Sequence, residues 1–350
     1  MGTVYVAWPL LYLYIAGLLR RPENYVWVMR TILVGTLFAC TLTVLLALEA
    51  IGFALIPISS FIGESGGFSA GEGILEVGTL NTATVIYAVS FLFGLVMLPS
   101  EYNPFKGKAW RTVMWISFLL SIVVLIVAGR RGFWVSAALS PVIAFCLVKF
   151  SGLKVGMNKT LRQFLPLAGA MVVALSVFAI DYGTLWVDFI VGFEFSDSTN
   201  VSANARQEQF YALLAAWQHH PLLGSGLGSF TTASVRDSEL PWTYELTYVA
   251  LLFQTGLIGV LFYGSMITWL FARGVMIVRA TPQAAAVLVP FMTGLAGFLI
   301  ANATNPYLQK FDYLWTLFFP LCAINAYLVS WPIGGKAQAT PVQGAGLKPA

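Results

Sequence analysis

The chain has 350 residues, of which 58% are hydrophobic and 10% charged, and its mean hydropathy is +0.80. An average globular protein carries about 25% charged residues, so a water-soluble fold is excluded. Apolar runs near or above the roughly 18–20 residues needed to cross hydrocarbon recur along the whole length, which leaves no separate soluble domain to cut out.

In chain order, the first run (4–19) lacks the small-residue cleavage pattern of a secretory signal and ends at Arg20-Arg21, so it reads as a retained helix. Further spans are predicted at 27–49, 80–98, 112–128, 133–149, 163–180, 247–271, 283–302 and 313–331. A Gly-rich loop (Pro57 to Gly78), two basic loops (Ser100 to Arg111 and Lys149 to Arg162) and a long polar segment (181–246) separate them. The expected fold is all-α: a polytopic integral membrane helical bundle of about nine spans forming one domain (1–331), followed by a disordered cytoplasmic tail (332–350). Cys40, Cys146 and Cys322 lie inside apolar runs, where a thiol acts as a small hydrophobe, and suggest neither disulfides nor a metal site.

Basic residues accumulate in short cytoplasmic loops. Fourteen of the nineteen lysines and arginines fall on one side of this arrangement, which marks it as the cytoplasm. Segment 181–246 is therefore expected outside. Nine spans with a cytoplasmic C-terminus put the N-terminus outside as well, and this unusual start reads as an incomplete beginning.

The exceptions to the charge bias carry the chemistry. Arg130-Arg131-Gly132 is expected in a short turn between two spans, where two guanidinium groups pinned at the outer face can hold a lipid phosphate or simply snorkel to headgroups. Asn204 to Trp217 reads as an amphipathic helix with Arg206, Phe210, Leu213 and Trp217 on one face, and Glu208 and Gln209 on the solvated face. Arg206 then either snorkels or points inward to a partner. Beyond it, His219-His220-Pro221 precedes a flexible Gly224-Ser225-Gly226-Leu227-Gly228-Ser229 stretch whose backbone N–H groups suit an anion. It lacks the lysine of a P-loop, and a plain turn is the competing reading. The paired histidines have no third ligand nearby and read as structural rather than metal-binding.

Three pieces stand in order: Gly129-Arg130-Arg131-Gly132-Phe133-Trp134, then Arg206 ahead of His220-Pro221-Leu222-Leu223-Gly224-Ser225-Gly226, then Glu245-Leu246 ahead of Gln254-Thr255-Gly256-Leu257-Ile258-Gly259. Together they resemble the O-antigen ligase and polymerase superfamily, over roughly residues 112 to 330. Members are multi-span glycosyltransferases that use a polyprenyl-pyrophosphate-linked glycan and act on the outer face of the inner membrane. The resemblance implies that Arg131 and Arg206 bind the donor pyrophosphate, with Arg130 where the family usually has serine. The ligases' catalytic histidine, eleven residues before the glycine that is here Gly256, falls on Glu245. This departure weakens the ligase assignment in particular.

The expected function is thus a metal-independent, inverting glycosyltransferase. It would transfer glycan from undecaprenyl-pyrophosphate to a sugar hydroxyl and so polymerise O-antigen or exopolysaccharide repeat units in the bacterial inner membrane, with its site facing the periplasm. Glu245, Arg206 and Arg131 are the expected catalytic residues, and Arg130, Arg236, His220, Gly224 and Gly226 the substrate-binding ones. No cofactor, metal or nucleic acid is expected. Lipid-linked glycan, membrane lipid and a chain-length regulator or other polysaccharide-assembly proteins are the expected partners. The alternatives are a ligase onto lipid A-core or a protein hydroxyl, a lipid-linked sugar flippase or transporter, and a purely structural membrane protein. Neither inverted repeats nor discontinuous midplane helices of the transporter kind are legible in the sequence.

Overall fold

A computed structural model describes residues 2–50, 68–71, 74–77, 82–127, 131–154, 201–235, 240–309 and 313–330. Its helices are α1 (Gly2–Leu18), α2 (Pro22–Ala50), α3 (Thr82–Met97), α4 (Lys108–Val127), α5 (Arg131–Phe150), α6 (Val201–Trp217), α7 (Thr247–Ala280), α8 (Ala285–Ala301) and α9 (Trp315–Ser330). Eight of the nine predicted spans coincide with a described helix, and the span expected at 163–180 lies outside the described residues. Among the described residues five segments are long and apolar enough to cross a membrane: Asn24–Glu49, Lys108–Leu125, Gly132–Phe150, Thr247–Ala280 and Pro282–Ala301. The protein is a polytopic helical membrane protein.

The predicted Gly-rich loop contains one exception to the all-α reading. Strands β1 (Phe68–Gly71) and β2 (Ile74–Val77) pair antiparallel, with Phe68 opposite Val77 and Gly71 opposite Ile74. Alternation too short to stand out from the surrounding glycines gave no signal for it.

The core is the pair α3 and α8, joined by α5. Both α3 and α8 are apolar on every side, the composition of a helix surrounded by other helices. Lipid tails are as apolar as leucine, so close backbone approach and buried hydrogen bonds must replace the hydrophobic drive between these helices. The sequence supplies both. A Cβ on Gly294 would lie 2.8 Å from the Tyr87 ring, and one on Gly297 would overlap Ser90. Ser136 of α5 donates to the Gly297 carbonyl at 2.7 Å, and Ser140 donates to Ser90 Oγ at 2.7 Å. Phe91 stacks on Phe291, which stacks on Phe319 of α9.

Basic residues mark one end of the bundle. Arg30 lies over the Trp110 ring at 4.6 Å, Arg111 donates to the Phe105 carbonyl, and Arg279 donates to the Phe150 carbonyl. These basic residues gather where α5 and α7 finish. Both helices start at the opposite end, and there the polar segment meets the bundle.

Candidate active site

Helix α6 matches the predicted amphipathic stretch, but its buried face differs from the expected one. Leu213 is fully buried, whereas Phe210 is 40% exposed and Gln209 only 3% exposed. The solvated assignment therefore holds for Glu208 and fails for Gln209. The physical reason is a hydrogen bond: Gln209 Oε1 accepts the Leu246 N–H at 2.9 Å. Leu246 heads α7 and has no side-chain cap of its own, so an acceptor from another helix is worth burying. Below this bond, Leu213, Tyr244, Ala250 and Phe253 form a small apolar cluster with Trp217 and Val249 packed against it.

The same register sets Arg206, one turn before Gln209, opposite Glu245, the residue before Leu246. Arg206 Nε donates to Glu245 Oε2 at 2.8 Å. Their side chains are 34% and 14% exposed, so the pair is partly open to solvent. Water on the arginine side screens the attraction, and the bond contributes about 1–2 kcal/mol, as a partly exposed charge-assisted hydrogen bond does. Two residues 39 positions apart thus meet at the head of a membrane-spanning helix. Beside them Tyr244 donates nothing to bulk water: burial pushes its hydroxyl pKa up, and the Thr231 N–H that it accepts at 2.8 Å pulls the other way.

Helix α7 is broken at Gly256, whose φ of 65° and ψ of −173° leave the helical region. Breaking a helix inside a membrane protein frees backbone groups that must find partners. The turn after α6 takes up four of them in one exchange. Ser225 and Gly226 N–H donate to the Phe253 and Gln254 carbonyls at 2.9 Å, while Leu257 and Ile258 N–H donate to the Pro221 and Leu222 carbonyls at 2.9 and 3.1 Å. Gln254 Nε2 adds a bond to the Ser229 carbonyl at 3.1 Å. Backbones this close leave no room for side chains: a Cβ on Gly224 would lie 2.5 Å from the Gln254 carbonyl, and one on Gly256 would overlap that of Leu222.

This exchange alters the reading of the glycine-rich stretch. The N–H groups of Gly224, Ser225 and Gly226 already donate to the carbonyls of His220, Phe253 and Gln254, so they form a lock between turn and helix and are not open to an anion. His219 and His220 are exposed on the preceding turn. Among the described residues no three His, Cys, Asp or Glu side chains group as a metal site.

The start of α5 reaches the same end of α8. A Cβ on Gly132 would meet Thr304 Oγ1 at 2.9 Å, and from the other side Tyr248 donates to the Leu299 carbonyl at 2.7 Å. Arg131 and Gly132 belong to the first turn of α5 rather than to the loop expected from sequence. Arg130 and Arg236 lie outside the described residues. The residues that sequence reasoning missed are Gln209, Tyr248, Asn302 and Thr304. Asn302 is fully buried, and its Oδ1 accepts the Leu308 N–H at 2.9 Å. A signal was present in Asn302-Ala303-Thr304-Asn305-Pro306, a polar run at the end of an otherwise apolar span.

Residues 116–264 match the family model described as O-antigen ligase. The match runs from α4 through the break in α7 and includes Arg131, Arg206 and Glu245. No curated protein matches the chain.

Proposed function

We propose, from the premise that residues 116–264 belong to the O-antigen ligase superfamily, that this glycosyltransferase-like membrane enzyme moves glycan from undecaprenyl-pyrophosphate to an acceptor sugar hydroxyl. The acceptor chain grows by polymerisation of O-antigen or exopolysaccharide repeat units. The observation that carries this reading is the Arg206–Glu245 pair, which sets a cation for the leaving group beside a carboxylate for the acceptor. The acceptor oxygen attacks the anomeric carbon while Glu245 takes its proton, a contribution of about 10²–10⁴ in rate for a general base. The bond to pyrophosphate breaks with its electron pair leaving on the phosphate oxygen. Charge grows there in the transition state, so Arg206 and Arg131 stabilise it more than the ground state.

Arg206 engages Glu245 through Nε, and the terminal edge of its guanidinium is the part suited to grip phosphate bidentately. Donor binding would then loosen the pair and release the carboxylate to act as base. Arginines serve where a metal ion otherwise would, and the site faces the periplasm, opposite the basic end of the bundle. The second reading, ligation of finished glycan onto lipid A-core, has the family's description in its favour, while glutamate in place of the ligase histidine favours polymerisation.

Product size tests the proposal. Purified protein given a lipid-linked repeat unit alone should yield a ladder of elongated lipid-linked chains, and should do so after exhaustive chelation. Transfer that begins only when a core or protein acceptor is added identifies a ligase. No transfer from any lipid-linked donor overturns both readings.

A further inference from the structure

The turn that locks onto the α7 break carries an apolar surface that the enzyme reading does not use. Leu222, Leu223, Leu227 and Phe230 are 59%, 74%, 80% and 49% exposed. On a water-facing loop such a cluster is costly and uncommon. Through the backbone exchange, it adjoins Leu257, Ile258, Leu261 and Phe262 of α7, themselves 43–68% exposed on a membrane-spanning helix. The two sets adjoin at Leu222 and Ile258, because the Leu222 carbonyl accepts the Ile258 N–H. On a helix long and apolar enough to cross a membrane, such exposed apolar side chains are the ones that face lipid.

We propose that the turn Pro221 to Phe230 is seated in the hydrocarbon edge of the leaflet on the Arg206–Glu245 side, with lipid acyl chains covering Leu222, Leu223, Leu227 and Phe230. Irregular backbone enters hydrocarbon only when its polar groups are satisfied within the protein. Here four of the turn's nine N–H groups, those of Gly224, Ser225, Gly226 and Ser229, donate to carbonyls, and Ser229 Oγ donates to the Ser225 carbonyl at 2.5 Å, which suits the turn to the hydrocarbon edge beside water and headgroups rather than to the hydrocarbon interior. Trp217 marks the boundary, with its indole N–H on the Pro221 carbonyl at 3.0 Å and its ring against the apolar cluster, the disposition of an aromatic-belt residue. The consequence is a site held at headgroup depth by a rigid wedge. The inference rests on membrane insertion alone and stands apart from the reaction proposed above.

Nitroxide labels on the full chain test it, in vesicles of phosphatidylcholine and phosphatidylglycerol, with Cys40, Cys146 and Cys322 replaced by alanine. Labels are placed at Leu227→Cys and, as a second position, Leu223→Cys. Leu261→Cys serves as the lipid reference, and Glu208→Cys, exposed on α6, as the water reference. The ratio of relaxation by dissolved oxygen to relaxation by a water-soluble nickel chelate should match that at 261 and exceed that at 208 several-fold. A ratio at both 223 and 227 equal to that at 208 overturns the proposal. Low access to both reagents, with spin–spin broadening, also overturns it and shows a second copy of the chain covering the turn.

Discussion

Helices α3 and α8 and the α6–α7 junction solve the same problem, how to hold parts together where the hydrophobic effect gives little, in opposite ways. The α3–α8 pair relies on small residues and close packing: Gly294 against Tyr87, Gly297 against Ser90, and a stack of phenylalanines. The α6–α7 junction has one small apolar cluster and is held by named polar bonds, among them Arg206 to Glu245, Gln209 to Leu246 and the exchange around Gly256. Packing of the first kind has one arrangement and resists change. Bonds of the second kind can be traded for bonds to a ligand, which is what a binding site at a helix break requires.

The largest effects should come from adding atoms where either region has no space, and they should differ in kind. Gly297→Leu drives a branched side chain into Ser90 and Ser136 and should prevent a folded bundle from accumulating, read as loss of monodisperse protein after detergent extraction. Gly256→Ala places a Cβ at positive φ against the Leu222 carbonyl and should cost roughly 2–4 kcal/mol locally through strain and lost backbone bonds. The bundle should still fold, but turnover should be lost and the 221–230 turn should become protease-sensitive. If Gly256→Ala melts the whole protein, the two regions are one cooperative unit and the contrast fails.

Arg206→Lys should leave the fold intact. Lysine keeps an attraction to Glu245 but not the planar fork, so turnover with lipid-linked donor should fall about 10²-fold while insertion and monodispersity are unchanged. A variant that produces glycan at the unaltered rate removes Arg206 from the donor site.

The contrast also explains what the sequence made legible. The span of α8 was readable because composition reports burial, the helix α6 was legible in its extent but not in its buried face, and Glu245 as the partner of Arg206 in a site came from the resemblance to the O-antigen ligase and polymerase superfamily. The lock between Gly224 and Gly256 was not readable. It is built from backbone groups with no side-chain signature, and its glycines read equally as an anion cradle. Gln209 was misassigned for a related reason: an amide satisfied by a backbone N–H from another helix can be buried, and the partner is invisible without the fold. Of the candidate set, Arg206 and Glu245 are brought together, and Arg131 starts a helix at the same end of α8.

Glu245→Gln sharpens the function of the pair. As general base Glu245 cannot be replaced by an amide, so transfer should fall by about 10²–10⁴ with donor affinity retained, and Glu245→His should recover part of it with a higher pH optimum. If Glu245 only holds Arg206 in place, combining Glu245→Gln with Arg206→Lys should cost no more than the arginine change alone. Near wild-type turnover by Glu245→Gln assigns the proton to another group.

The smallest expected effect belongs to Gln209, and it bears most directly on how the junction works. Its Oε1 holds the Leu246 N–H and so fixes the chain at the residue after the carboxylate. Gln209→Leu keeps the volume and removes the acceptor, leaving a buried N–H unsatisfied at a cost of about 1–3 kcal/mol. The carboxylate then loses its defined position, and kcat should fall about tenfold with donor KM little changed, since a small misplacement of a catalytic group acts on the transition state. Gln209→Glu separates positioning from general destabilisation, because a carboxylate can still accept the Leu246 N–H. It should recover thermal stability toward wild type while its added charge, one turn from Arg206, competes for that guanidinium. Parallel loss of stability and of kcat in Gln209→Leu, with stability alone returning in Gln209→Glu, places the residue as a positioning group. Unchanged kcat in Gln209→Leu would mean that Glu245 is held by its bond to Arg206 without help from α7's first turn.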